Sequence, residues 1–278
     1  MTRSELGTIG VWRLGQLLDA PLAAHLEELG FGAVWVGGSP SGDLALVQEL
    51  LDATSTLSVA TGIVNVWSDD AATAGASFHR IEREHPGRFL LGLGVSHPEA
   101  NTRYTKPLQA LQDYLDALDT AGVPVERRVL AALGPKVLRL SAERTAGAHP
   151  YLTTPEHTAA AREVLGPQVL LAPEQKVVLD TDPARARALA RETVEVYLGL
   201  SNYTNNWRRL GFGDDDLADG GSDRLIDALV VHGDAATVKR RVTEHLDAGA
   251  DHVAVQLLTA PDADVADSFR ELAEVLLG

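Results

Sequence analysis

Short runs of consecutive apolar residues recur along the chain, separated by longer stretches of helical periodicity, and this alternation narrows the fold more than any other feature. The strand candidates are Gly7–Trp12, Ala33–Gly37, Leu57–Val64, Phe89–Val95, Arg128–Leu133, Gly147–Leu152, Val169–Leu179 and His252–Leu258. Most are continuously apolar and do not alternate, as expected for parallel strands buried on both faces. The intervening stretches are amphipathic: Leu18, Leu22, Leu26 and Leu29 fall on one stripe of a first helix. Thr154-Pro155 and Asp182-Pro183 each place a capping side chain before a proline at the first helical position, and Asp234 is a third cap. Gly30, Gly122, Gly166 and Gly249 stand where helices need a left-handed closing residue. Strand–helix repetition implies a parallel sheet. Closing it as a (β/α)8 TIM barrel suits both the eight runs and the 278 residues, with one domain expected over 1–278.

One segment breaks the rhythm. Ser201 to Val231 reads SNYTNNWRRLGFGDDDLADGGSDRLIDALVV and has no strand pattern. It is expected to be an insertion of short helices and loop after the seventh βα unit. It serves either as surface elaboration or, as long barrel insertions often do, as a lid or dimer contact.

Charge and composition exclude several classes. A net charge of −15 argues against nucleic acid, whose phosphates call for a surplus of Lys and Arg. It still permits a small anionic ligand, because a few cations and backbone N–H groups at one mouth outweigh distant, screened acids. With no cysteine, disulfides, thiolate metal sites and cysteine catalysis are impossible. Met1 to Leu18 holds no apolar run suited to a signal peptide or membrane span, so a cytoplasmic protein is expected. The linear spacing of His, Asp and Glu suggests no metal site, and the absence of Gly-x-Ser-x-Gly speaks against a serine hydrolase.

In a barrel of this kind the site lies at the C-terminal ends of the strands. That rule selects Trp12, Gly38-Ser39-Pro40, Asn65-Val66-Trp67, Ser96-His97, Gly134-Pro135-Lys136, His149-Pro150-Tyr151, Glu174, Lys176 and Gln256. Gly134-Pro135-Lys136 exposes backbone N–H groups at a helix start and adds a positive charge, an arrangement suited to an anion; it is equally an ordinary βα turn. Gly92-Leu93-Gly94 lacks a third glycine, since His97 stands there, so it is no dinucleotide fingerprint. Its glycines let a crowded interior or a flat ring approach the backbone. Imidazole titrates near neutral pH, so His97 can give or take a proton, or it is a rim histidine with no chemical role; His149 is the second choice. Ser39 can hydrogen-bond but is no base without an activating neighbour.

The succession LGTIGVW, GFGAVWVGGSP, LSVATGIVNVW and HPGRFLLGLGVSHPE resembles the first half of the luciferase-like flavin and deazaflavin oxidoreductases, most closely their F420-dependent branch. LAALGPKVLRLSAERTAGAHPYLTTPEH and the closing HGDAATVKRRVTEHLDAGADHVAVQLL extend the likeness over the whole chain outside the insertion. Pro86-Gly87-Arg88-Phe89 running into Leu91-Gly92-Leu93-Gly94 is the most specific piece. The resemblance implies a homodimeric, hydride-transferring oxidoreductase that binds coenzyme F420 and acts on a small molecule. It further implies a bulged third strand at Ala60-Thr61-Gly62-Ile63-Val64, with a cis bond between Gly62 and Ile63 behind the cofactor ring. Gly94 lies on that cofactor side, Gly134 and Lys136 meet the phosphate side, and His97 with Ser39 stands near the reacting carbon. Trp12, Asn65, Trp67 and His149 would shape the substrate pocket. Some relatives carry an acid or histidine where Ser39 stands, which puts the role of that position in doubt. The alternatives are an FMN-dependent monooxygenase or reductase, a non-catalytic flavin-binding barrel and, further off, a phosphate-binding isomerase or aldolase.

Overall fold

The computed structural model describes residues 6–97, 106–260 and 263–278, so Met1 to Glu5 of the N-terminal stretch lies outside the described residues. The strands are β1 (Ile9–Leu14), β2 (Ala33–Gly37), β3 (Ser58–Gly62), β4 (Val64–Asn65), β5 (Phe89–Gly94), β6 (Arg128–Leu130), β7 (Gly147–Ala148), β8 (Leu170–Leu171), β9 (Glu174–Val178), β10 (Val230–His232) and β11 (Val253–Leu257). All described pairings are parallel and run from β11 through β1, β2, β3, β5, β6 and β7 to β8. β8 continues through Ala172 and Pro173 into β9, which pairs with β11, so the sheet closes on itself as a TIM-like barrel. The single expected strand Val169–Leu179 is therefore interrupted at a proline, which has no N–H to donate.

Twelve α-helices follow among the described residues. They are α1 (Ala20–Glu28), α2 (Ala45–Asp52), α3 (Ala71–Glu84), α4 (Pro107–Thr120), α5 (Pro135–Arg144), α6 (Pro155–Leu165), α7 (Pro183–Leu198), α8 (Ser201–Arg209), α9 (Asp214–Leu217), α10 (Asp223–Leu229), α11 (Ala235–Asp247) and α12 (Val265–Leu276). The expected caps are in place: Thr154, Asp182 and Asp234 each accept a hydrogen bond from the first turn of α6, α7 and α11. Gly30, Gly122, Gly166 and Gly249 all take positive φ.

Side chains of each strand alternate between two cores. In β2, Val34 and Val36 face the helices, while Ala33 and Trp35 fill the barrel. Trp35 stacks on His149 with ring centroids 4.0 Å apart and donates from Nε1 to His252 Nε2 at 3.0 Å. The Pro86-Gly87-Arg88 turn is a lock between neighbouring connections. Arg88 donates to the carbonyls of Thr54 and Leu57, both at 2.9 Å, which ties the start of β5 to the start of β3.

The insertion departs from its expected description in one respect. Val230–His232 pairs with Lys176–Val178 of β9 as strand β10. The edge of β9 here has no other strand, since β7 pairs only as far as β8. Two valines and a histidine satisfy its backbone groups. The rest of the segment is helical, as α8, α9 and α10, and packs its own apolar core around Trp207, Tyr203, Leu225 and Ile226. No helix among the described residues is long and apolar enough to cross a membrane.

Candidate active site

The third strand carries the feature on which the site is built. Val59 and Ala60 pair with Phe89 and Leu90, whereas Val64 and Asn65 pair with Leu93 and Gly94. Thr61, Gly62 and Ile63 thus stand opposite Leu91 and Gly92 alone, one residue too many, and the strand bulges. Thr61 Oγ1 bridges the irregularity, donating to Gly92 O at 2.9 Å and accepting from Gly92 N at 2.8 Å. Gly92 has to be glycine, since a Cβ there would lie 1.8 Å from Thr61 O. The Gly62–Ile63 bond is cis.

The bulge forms one wall of a cavity of about 450 Å³ at the C-terminal mouth, a size usual for a small-molecule or cofactor site. Of the residues expected at the site, Trp12, Ser39, Gly62, Ile63, His97, Gly134, Lys136 and His149 line it. Val64, Gly94, Asn65 and Trp67 do not. Val64 turns outward into the barrel–helix core. Gly94 acts at one remove, leaving room for Ile63, whose Cγ1 would lie 2.9 Å from a Cβ at position 94. Asn65 holds the following turn, its Oδ1 accepting from Trp67 N at 3.1 Å.

The floor is aromatic, with charge beneath it. Trp12 and Tyr151 pack at 4.9 Å, and Gly37 makes room for the indole, which would lie 2.1 Å from a Cβ there. Below them Lys176 and Glu174 are both fully buried and joined by a 3.1 Å ion pair. Lys176 Nζ sits 3.7 Å from the Tyr151 ring centroid and donates to Gln256 Oε1 at 3.0 Å. Burial lowers the Lys176 pKa to about 8 against the raising influence of Glu174, and burial raises that of Glu174. His149 is 1% exposed. Burial pulls its pKa to about 3, so it is neutral. Its Nδ1 lies 2.6 Å from Ala172 O and must carry the hydrogen, which leaves Nε2 with a lone pair. His149 is therefore a hydrogen-bond acceptor and no proton carrier at neutral pH.

Tyr197, Tyr203 and His97 line the cavity beside Tyr151. Tyr197 OH donates to Tyr151 OH at 3.2 Å, and Tyr151 OH donates to Gln256 Oε1 at 3.0 Å. His97 meets Tyr197 edge-on at 6.4 Å and Tyr203 at 5.4 Å. Tyr203 belongs to α8, which also contributes Asn202, Asn205 and Arg209 to the lining. The insertion is thus a wall of the cavity. At the rim Arg209 Nη2 comes within 4.0 Å of where a Cβ on Gly134 would stand, next to exposed Lys136. Gly134 caps α5 with no side-chain partner for its N–H groups. Two cations and a helix N-terminus converge there, a setting for a phosphate.

Elsewhere the fold makes a grouping the linear spacing did not suggest. Ligand atoms of Asp52, Glu84 and His85 lie within 4.8 Å of one another. They sit at the C-terminal ends of α2 and α3, with His85 Nε2 2.7 Å from Asp52 Oδ1, and Gln48 Nε2 donates to both acids at 3.0 Å.

Comparison with known proteins agrees with this architecture. Residues 20–122 match the family model of the luciferase-like monooxygenases. No curated protein sequence matches the chain. Among solved structures, the chain is similar to an F420-dependent secondary alcohol dehydrogenase in complex with an F420–acetone adduct (TM-score 0.75, 13% identity, 96% of this chain and 97% of that one). It is also similar to the coenzyme F420-dependent tetrahydromethanopterin reductase of Methanopyrus kandleri (TM-score 0.68, 17% identity, 97% and 98%). A third is the FMN-bound oxygenating constituent of 3,6-diketocamphane monooxygenase of Pseudomonas putida, a type II Baeyer–Villiger enzyme (TM-score 0.67, 15% identity, 97% and 95%). Over its matched segment the chain is similar to the luciferase-like monooxygenases, and over nearly its whole length it shares the fold of these solved structures.

Proposed function

We propose that the chain is an F420-dependent oxidoreductase that transfers a hydride between the deazaflavin C5 and a small organic substrate. One observation carries this reading: the cavity joins a flat, Cβ-free wall at Gly62 to a cationic rim at Lys136 and Arg209. A planar ring with a phosphate-bearing tail has that shape and charge distribution. Two buried polar atoms without protein partners support the fit. Trp12 Nε1 and His149 Nε2 lie 2.8 and 3.4 Å from the Cβ position of Gly62, one a donor and the other an acceptor toward a polar ring edge. The likeness to two F420-dependent enzymes favours the deazaflavin.

When bound, F420 would supply hydride chemistry without ready activation of oxygen. The chain's own part is to hold the ring over Gly62 and Ile63, fix the tail at Gly134, Lys136 and Arg209, and supply one proton. FMN is the second reading, supported by the FMN-bound relative. Titrating the purified protein separately with F420 and FMN tests the proposal. Tight F420 binding with weak FMN binding is expected, and the reverse order replaces the reading with the flavin one. Lys136→Ala and Arg209→Ala should each weaken cofactor binding by about 5- to 30-fold, the equivalent of about 1–2 kcal/mol for a charge-assisted contact. The loss should shrink as salt is raised. Unchanged affinity at low salt would return this turn to an ordinary βα connection.

A further inference from the structure

We propose that Tyr197 is the catalytic proton donor to the oxygen of a carbonyl substrate, with Tyr151 and the buried Lys176 as its positioning groups. This rests on the hydride-transfer reading above and names the substrate class for it. The geometry that carries it is a directed chain of hydrogen bonds ending in the cavity. Lys176 Nζ and Tyr151 OH both donate to Gln256 Oε1, at 3.0 Å each, and Tyr197 OH donates to Tyr151 OH at 3.2 Å. Tyr197 lines the cavity and is its outermost member. A carbonyl oxygen arriving there is an acceptor without a donor. Tyr197 can turn its O–H toward it, and Tyr151 can then donate to Tyr197, because Lys176 still satisfies Gln256.

The groups that face Tyr197 agree with the role of donor. Tyr151 and Tyr203 lie on two sides of its ring, His97 on a third, and Lys176 Nζ 5.8 Å from its centroid, with Glu174 beyond. Burial, with Glu174 adding to it, raises the Tyr197 phenol above its ordinary range against the lowering bond to Tyr151. The phenol thus stays protonated through neutral pH and is a donor there. In the reduction, the carbonyl carbon accepts a hydride from the reduced deazaflavin and the C–O π pair moves onto oxygen. That oxygen takes the Tyr197 proton, an alcohol forms, and the phenolate accepts the Tyr151 O–H until solvent restores its proton. His97 could perform the same step only while its imidazole is protonated, which gives the two residues different pH signatures.

Two measurements test this. The first is infrared difference spectroscopy of cyclohexanone and acetophenone, each as carbon-12 and carbon-13 carbonyl pairs. They are added to the full-length protein alone and with oxidised F420, where no turnover occurs. A saturable carbonyl band shifted to lower frequency is expected, kept in His97→Ala and lost in Tyr197→Phe. No bound band with either ketone, or a band indifferent to Tyr197→Phe, overturns the proposal whether or not F420 binds. Failure of F420 to bind, seen in the separate titration, would count against the cofactor reading alone. The second is ketone reduction with reduced F420. Tyr197→Phe should lower kcat by about 10²- to 10⁴-fold with the cofactor dissociation constant within about twofold of wild type. Wild-type kcat should stay level from pH 6 to about 7.5, below the titration of the positioning Lys176 near 8. A kcat that falls through neutral pH and collapses in His97→Ala, with Tyr197→Phe unaffected, assigns the proton to His97 and overturns the inference.

Discussion

Gly62→Val is expected to weaken cofactor binding by at least about a hundredfold, the equivalent of roughly 2.7 kcal/mol, while the barrel still folds. A Cβ at this position would lie 2.8 Å from Trp12 Nε1 and 3.4 Å from His149 Nε2, and the valine methyls would stand in the space assigned to the ring. Gly62 lies at the cavity and not among the helix-facing core residues. Stability should therefore fall by no more than about 1–3 kcal/mol as Trp12 shifts, the usual range for overpacking. Cofactor fluorescence titration together with urea denaturation separates the two effects. Unaltered affinity in a folded variant would mean that the ring binds elsewhere.

Glu174→Leu should be among the most damaging substitutions to the fold, by about 3–5 kcal/mol, because it strands a buried ammonium. Lys176 would keep Gln256 and the Tyr151 ring but lose its counter-charge, and Leu152 N would lose its 2.9 Å acceptor. The pH dependence gives the mechanism away. Burial already lowers the folded-state pKa of Lys176 to about 8, and removing the carboxylate, which raises it, lowers it further. The unfolded chain releases this proton only near about 10.4. Between those values the unfolded state binds more protons, so stability rises with pH. The variant begins this gain at a lower pH than wild type, so its deficit should shrink as pH rises to about 8 and stay level above it in chemical denaturation. A deficit that does not change with pH would show that packing, and not the unpaired charge, explains the loss.

Much of the barrel was legible because buried parallel strands announce themselves as continuous apolar runs, and β2 and β5 lie close to their expected bounds. The break at Ala172-Pro173 was visible as a proline inside the seventh run, yet its consequence, a strand whose two halves pair with different neighbours, is a property of the closed sheet. The bulge at Thr61 to Ile63 was reached through family likeness; nothing in the residues alone distinguishes it from a strand with one glycine. The buried pair had a signal of its own. Glu174 and Lys176 stand two apart, on either side of Gln175 within an apolar run, which places both on the same face of the strand. Tyr197 and Arg209 had none, for each lies in a helix whose proximity to the mouth only the fold determines. Asn65 and Trp67 were selected by their place after a strand, but the bulge turns the chain so that neither lines the cavity.

The central claim is that the cavity over Gly62 and Ile63 is the seat of a deazaflavin ring with its phosphate at Gly134, Lys136 and Arg209. A crystal structure of the protein with F420 tests it most directly. The account predicts ring density against the Gly62–Ile63 backbone, polar ring atoms within reach of Trp12 Nε1 and His149 Nε2, and the phosphate at the start of α5. Density for the ring at any other place on the barrel, or an empty cavity beside a phosphate bound elsewhere, would contradict it.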